Sequence, residues 1–165
     1  MEIAFLAERP QAIPSLAAWF IAEWPEYYGK RARADVEQDF RECLNTQRLP
    51  IGLVAYDDGA PCGVIVLRES AMTDLPQYRP GLGAFYVAAS HRNRGIGAQL
   101  VRAGIGVARG LGHSAIYATT GRAGKIFERS GGQDLGTILH RGQALTLYRW
   151  EAAAEHFGDA RGLRL

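Results

Sequence analysis

Residues 91–98 read HRNRGIGA, and they directly follow an apolar run, LGAFYV (82–87), with the make-up of a buried strand. This octet decides the fold. Two arginines and two glycines crowd a strand-to-helix turn. The first amides of a helix have no intrahelical partner, and they sit at the positive end of its dipole. Positive charge, bare N–H groups and missing Cβ atoms at one spot together suit a phosphate.

Outward from that turn the chain alternates strands and helices. EIAFL (2–6) reads as a first strand, and SLAAWFIAEW (15–24) as a helix marked by Leu16, Trp19, Phe20 and Glu23. PEYYGKRA (25–32) reads as a loop, and residues 34–47 as a second helix, apolar at Val36, Phe40 and Leu44. IGLVAY (51–56), the turn DDGAP and CGVIVLRE (62–69) form a hairpin, and a proline-bearing loop (70–80) leads to LGAFYV. A helix follows over 97–109, then a strand (113–120), a short helix (121–130) and a closing hairpin around RG. The order is β-α-α-β-β-β-α-β-α-β-β. It is an α/β fold with a mixed, mostly antiparallel sheet flanked by helices and one parallel strand–helix–strand unit at the glycine turn. Residues 1–150 form one domain, and 151–165, rich in alanine and charge, form a tail.

At 165 residues, 47% of them hydrophobic, the chain can bury roughly 70% of its unfolded surface in a single core. No apolar run reaches the length of about 20 residues that a membrane helix needs. The start, MEIAFLAERP, lacks the charged and apolar regions of a signal peptide, so the expected location is cytoplasmic. Cys43 and Cys62 are expected to be buried free thiols. Neither they nor the four histidines have metal-ligand spacing. Residues 1–74 carry twelve acids and seven bases, whereas 75–127 carry seven bases and no acid. An acid-free segment centred on the glycine turn favours an anionic ligand. There is no basic run or stacking-aromatic motif for nucleic acid.

Three phosphate devices place glycines at such a turn. A P-loop needs a Gly-Lys-Ser/Thr ending, which is absent. A dinucleotide fingerprint needs a third glycine and an acid some 20 residues on; Leu100 occupies that place, and the first acid is Glu128. RNRGIG has the third form, Arg/Gln-x-x-Gly-x-Gly/Ala, filled by Arg92, Gly95 and Gly97. With the strand before it, the amphipathic helix after it and KIFERSGG (125–132) ending the next helix, the chain resembles the GNAT superfamily of N-acetyltransferases. EWPEYYG, LPIGLVA and TLYRW resemble a branch of its small members.

The resemblance implies an acetyl-CoA-dependent N-acetyltransferase that moves an acetyl group to a primary amine by direct attack on the thioester. It implies that the pyrophosphate of coenzyme A is held by main-chain groups of Arg92, Asn93, Arg94, Gly95, Ile96, Gly97 and Ala98. Phe85, Tyr86 and Val87 would grip the pantetheine, with Thr119 on the next strand, and the catalytic positions would be Val87, as oxyanion donor, and Tyr86. Trp24, Glu26, Tyr27 and Tyr28 would form a wall for the acceptor, a small-molecule or peptide amine. The acidic N-terminal half points to a cationic acceptor, and Glu23, Glu26, Glu69 and Asp74 are candidate bases. A homodimer is compatible with all of this.

One departure stands out. The family often carries Tyr-Glu-x-x-Gly-Phe where this chain has FERSGG, so Phe127 replaces the tyrosine that would protonate the leaving thiolate. Phe127 can pack against pantetheine but cannot donate a proton. Its presence supports a second reading, a catalytically weak CoA-binding or ligand-sensing module.

Overall fold

The computed structural model describes residues 1–152. In chain order these form β1 (Glu2–Phe5), α1 (Ile13–Glu23), α2 (Pro25–Tyr28), α3 (Arg33–Arg41), β2 (Ile51–Asp57), β3 (Ala60–Arg68), β4 (Gly81–Val87), α4 (Ile96–Gly110), β5 (Ala115–Thr120), α5 (Gly124–Arg129), β6 (Gln133–His140) and β7 (Gln143–Glu151). Residues 153–165 of the expected tail lie outside the described residues. Two differences from the sequence reading occur before β2. The loop 25–32 contains the helical turn α2, started by Pro25 at a position where a missing N–H costs nothing. The second helix stops at Arg41 rather than 47, and the Cys43 carbonyl then accepts from the Gly52 N–H of β2 at 3.1 Å.

The seven strands form one sheet in the order β1-β2-β3-β4-β5-β7-β6, antiparallel except between β4 and β5. Strands β2 and β3 read as nearly continuous apolar runs because both of their faces are covered. Ile51, Leu53, Ala55, Ile65 and Leu67 pack with Leu100, Val101 and Ile105 of α4. Val54, Tyr56, Val64 and Val66 pack on the opposite face with Leu16 and Phe20 of α1 and Val36 and Phe40 of α3. Both two-residue hairpin turns, Asp58-Gly59 and Arg141-Gly142, have positive φ at both positions, which matches the twist of their flanking strands. Cys43 and Cys62 are free and buried. No helix among the described residues is long and apolar enough to cross a membrane.

A bulge in β4 sets up the site. Val66 pairs with Gly83 and Val64 with Tyr86, so two residues, Ala84 and Phe85, oppose Ile65. Ala84 sits at φ 46°. The extra residue shifts the alternation, so Leu82 and Phe85, three apart, both pack toward α4. Ala84 and Tyr86 face α1.

Candidate active site

Strands β4 and β5 part almost as soon as they meet. Among the described residues their paired register is the single position Gly81↔Tyr117, supported by Tyr117 N–H donating to Pro80 O at 3.0 Å. Beyond it β4 stays with β3, and β5 stays with β7. Gly63 stands opposite Val87, and Ala88 N–H donates to Cys62 O at 2.9 Å. That bond makes Gly63–Val87 a pair whose main-chain groups point away from each other. Val87 N–H therefore faces the gap. On the same edge, Arg92 Nε donates to Val87 O at 2.9 Å.

The glycine turn lies directly after this edge. Gly95 is the N-cap of α4 at φ 79°, contributes no side-chain cap, and is followed by no acid in the first turn. The first helical bond runs from Gln99 N–H to Gly95 O at 3.2 Å, which leaves the amides of Ile96, Gly97 and Ala98 without intrahelical acceptors. The two glycines serve different ends. A Cβ on Gly95 would meet nothing within 4 Å, so its left-handed dihedral is what requires glycine. A Cβ on Gly97 would lie 2.9 Å from Phe85 Cζ, so that missing atom lets the β4 ring rest on α4. Asn93 is also left-handed, at φ 61°.

The arginines of the turn already have partners. Arg94 pairs with Asp57 at the end of β2 at 3.2 Å, beside His91 Nε2 at 3.4 Å from the same oxygen. Arg92 Cζ stands 5.3 Å from the Tyr86 ring centroid, and its Nη2 is 3.7 Å from Glu23 Oε2. Arg122 Nη1 approaches the other Glu23 oxygen at 3.9 Å. Of the candidate bases, Glu23 is thus held between two arginines near the end of β4. Asp74 pairs with His140 at 3.3 Å, and Glu26 and Glu69 are exposed. Other acids of the N-terminal half are similarly tied up, Glu2 with Arg9, Asp39 with Arg31 and Glu37 with Arg33 and Arg41. Among the described residues Glu23, Asp57 and Asp74 pair with cations beyond residue 74, which offsets part of the charge asymmetry of the sequence.

The expected acceptor wall divides in two. Tyr86 stacks on Trp19 at 5.3 Å and meets Trp24 edge-on at 6.0 Å, while Tyr28 lies edge-on to Phe20 at 5.8 Å. Burial raises the Tyr28 pKa. Trp24, Tyr28 and Tyr86 form one aromatic surface, whereas Tyr27 is 65% exposed and Glu26 lies outside it. Thr119 is half-buried on β5, opposite Leu147. Phe127 is 3% exposed, with its ring 5.8 Å from Phe85, 5.5 Å from Tyr148 and 5.1 Å from Trp150, so it is a core side chain here. Tyr148 Oη donates to Glu128 at 3.2 Å, and burial followed by that bond raises its pKa.

Three residues at the site escaped the sequence reading. Thr120 Oγ1 accepts from Arg122 and Ala123 N–H at 3.1 and 2.8 Å, which fixes the turn into α5. Trp19 was read only as apolar helix face, yet it supports Tyr86. Arg68, at the end of β3, lies against Gly83. Its signal was the alternation Val64, Val66, Arg68, which puts a cation on an otherwise apolar face.

The acetyltransferase (GNAT) family model matches residues 13–127. No curated protein matches the sequence. Among solved structures, the chain is similar to an aminoglycoside 6'-N-acetyltransferase complexed with coenzyme A, at TM-score 0.75 and 18% identity over 94% of this chain and 99% of that one. It is also similar to a ribosomal-protein-alanine N-acetyltransferase from Brucella melitensis, at TM-score 0.72 and 21% identity over 92% and 99% of the two chains. A putative acetyltransferase from Salmonella typhimurium with its cofactor acetyl-CoA gives TM-score 0.70 and 17% identity over 97% and 98%. At these identities the likeness is one of fold.

Proposed function

The chain belongs to the acetyltransferase (GNAT) family, and from that premise we propose that it moves an acetyl group from acetyl-CoA to a primary amine. The observation that carries this reading is the gap between β4 and β5, which Val87 N–H faces beside the uncapped start of α4. Acetyl-CoA supplies the acyl group as a thioester. The amides of Ile96, Gly97 and Ala98 suit its pyrophosphate, because unpaired N–H groups at a helix start favour an anion. The free edge of β4 from Phe85 to Val87 offers main-chain groups to the amide-bearing pantetheine, with Asn93, Arg94 and Thr119 at the margins.

The chemistry asked of the protein is modest. A neutral amine forms the new C–N bond as the C–S bond breaks, the nitrogen gives up a proton, and the thiol leaves. Val87 N–H is the donor for the carbonyl oxygen as charge develops there. Glu23 is the carboxylate nearest the amine side that could take the proton, directly or through water. Tyr86 positions the acceptor with Trp24 and Tyr28, and Tyr27 and Glu26 lie at the rim. No acid stands at residue 127, and a thiol of pKa about 8.5 leaves without one at a reduced rate.

The test is calorimetric titration with CoA, together with release of free thiol from acetyl-CoA in the presence of a broad amine panel. Gly95→Val forces a β-branched residue into φ 79° and should raise the CoA dissociation constant at least about tenfold. Normal CoA affinity in that variant would overturn the reading. Tight CoA binding with no turnover on any amine would leave the sensing module in its place.

A further inference from the structure

Arg68 continues the face of β3 that carries Val64 and Val66, and its guanidinium lies flat on the main chain of Gly83, where a β-carbon would fall inside it. Gly83 belongs to β4, on the α1 side, before the bulge that presents Tyr86. Tyr28, Cys43 and Tyr27 are the ionisable groups around the guanidinium, and none of them is a carboxylate. Arg68 has no hydrogen bond and no ion pair with any described residue. The carboxylate of Asp39, a neighbour of Tyr28 and Cys43, is held by Arg31 in a two-oxygen contact at 2.6 and 3.1 Å.

The side chain is exposed to solvent on its outer side. Desolvation lowers its pKa from the ordinary arginine value, but a guanidinium stays protonated in proteins. With no partner among the described residues, its donors stay free for a ligand anion. The fork of a guanidinium matches a carboxylate with two parallel hydrogen bonds.

We propose that Arg68 receives a carboxylate of the acceptor, so that the acetylated amine belongs to an amino-acid-like molecule rather than to a polycation. This rests on the acetyl-transfer reading above. Gly83 and Val87 stand opposite Val66 and Gly63, three residues apart on β3, which is roughly 10 Å at about 3.3 Å per residue. Carboxylate and reacting amine are therefore several bonds apart, as in an ω-amino acid or a free lysine. An aminoglycoside, as a polycation, meets Arg68 as a like charge.

The experiment compares kcat/KM for ε-aminocaproate and lysine with their amides, alongside phosphoethanolamine and kanamycin, in the wild type and in Arg68→Gln and Arg68→Lys. The wild type should prefer each carboxylate to its amide by more than about tenfold, as expected for loss of a charge-assisted pair. Arg68→Gln should lose that preference and Arg68→Lys should keep part of it, with CoA affinity and melting temperature unchanged in both. Equal use of acid and amide by the wild type, or an undiminished preference in Arg68→Gln, would overturn the assignment. So would a preference for phosphoethanolamine or kanamycin. If CoA fails to bind, the acetyl-transfer reading itself has failed. If CoA binds but no amine is turned over, the CoA-loaded protein is titrated with ε-aminocaproate and its amide. Binding of the acid alone, abolished by Arg68→Gln, supports the subsite; no binding overturns it.

Discussion

Arg92 Nε donates to the Val87 carbonyl oxygen at 2.9 Å, and this bond ties the end of β4 to the turn that starts α4. On the proposed function, this fixes the Val87 amide relative to the amides of Ile96, Gly97 and Ala98 that would face a phosphate. Beside the phosphate charge expected of Arg92, this bond supports a positioning role, which we propose. Arg92→Ala should lower kcat/KM for acetyl-CoA about tenfold, or about 1.4 kcal/mol, which is ordinary for a charged donor on a carbonyl. The loss should persist at raised salt, because screening weakens an exposed phosphate contact more than a short bond to main chain. Steady-state kinetics at two ionic strengths decide between these roles. A defect that vanishes in high salt would restore the phosphate contact.

Helix α4 contains two interior glycines with different surroundings. A Cβ on Gly104 would fall 2.6 Å from Leu82 Cδ2, whereas one on Gly106 would meet nothing within 4 Å. Close packing on the sheet thus explains Gly104 and not Gly106. Gly104→Ala should destabilise the fold by about 1–3 kcal/mol through overpacking. Gly106→Ala should stabilise it by about 0.5–1 kcal/mol, since alanine lowers the entropy cost of the helix. Urea denaturation of both variants would reveal the opposite signs, and equal effects would contradict the packing.

The turn at 91–98 was legible because its signals are local, glycine spacing between an apolar strand and an amphipathic helix. The two hairpins and the strand–helix–strand unit followed from the same locality, whereas the order in which they join into one sheet did not. The bulge was not legible, because a left-handed alanine at position 84 leaves no mark in a sequence. The parting of β4 from β5 leaves no local signal either and is implied only by the family resemblance, since it depends on β5 pairing along its length with β7, some thirty residues away. Charge was the least reliable guide. Among the described residues five of the twelve acids of residues 1–74 pair with arginines, three of them within the same segment, and an arginine on the β3 face stands alone.

Cys43 is buried, which pushes its thiol up to about 11. Its folded pKa lies above its unfolded one, so the folded state holds the proton longer. The stability this gives is present below about pH 9 and is lost as pH rises toward about 11. The phenols of Tyr28, Tyr56 and Tyr148, all raised by burial, act in the same direction. Melting temperature should fall over that window, and Cys43→Ala should flatten part of the fall. Native protein should also react slowly with a thiol reagent at pH 8, whereas denatured protein should react at both cysteines. Rapid native labelling of Cys43 would show that it is not buried.

Phe127, where the family resemblance leads one to expect a tyrosine, has its ring closed in by Phe85, Tyr148 and Trp150. Phe85 in turn rests on Gly97, so the ring at 127 supports the strand edge from behind. Phe127→Ala should cost about 3–5 kcal/mol of stability, the range for emptying a large aromatic site in a core. The same variant, assayed where it remains folded, should show a raised KM for acetyl-CoA because Phe85 loses its backing. Phe127→Leu should recover most of the stability and most of the KM. Phe127→Tyr tests the chemistry separately, since a hydroxyl buried without a partner costs about 1–3 kcal/mol. If it instead raised kcat without loss of stability, its hydroxyl would have reached the leaving thiolate, and residue 127 would border the site rather than the core. Phe127→Ala with wild-type stability and KM would remove the residue from both roles, leaving Tyr86, Tyr117 and Tyr148 as the phenols to examine for proton donation.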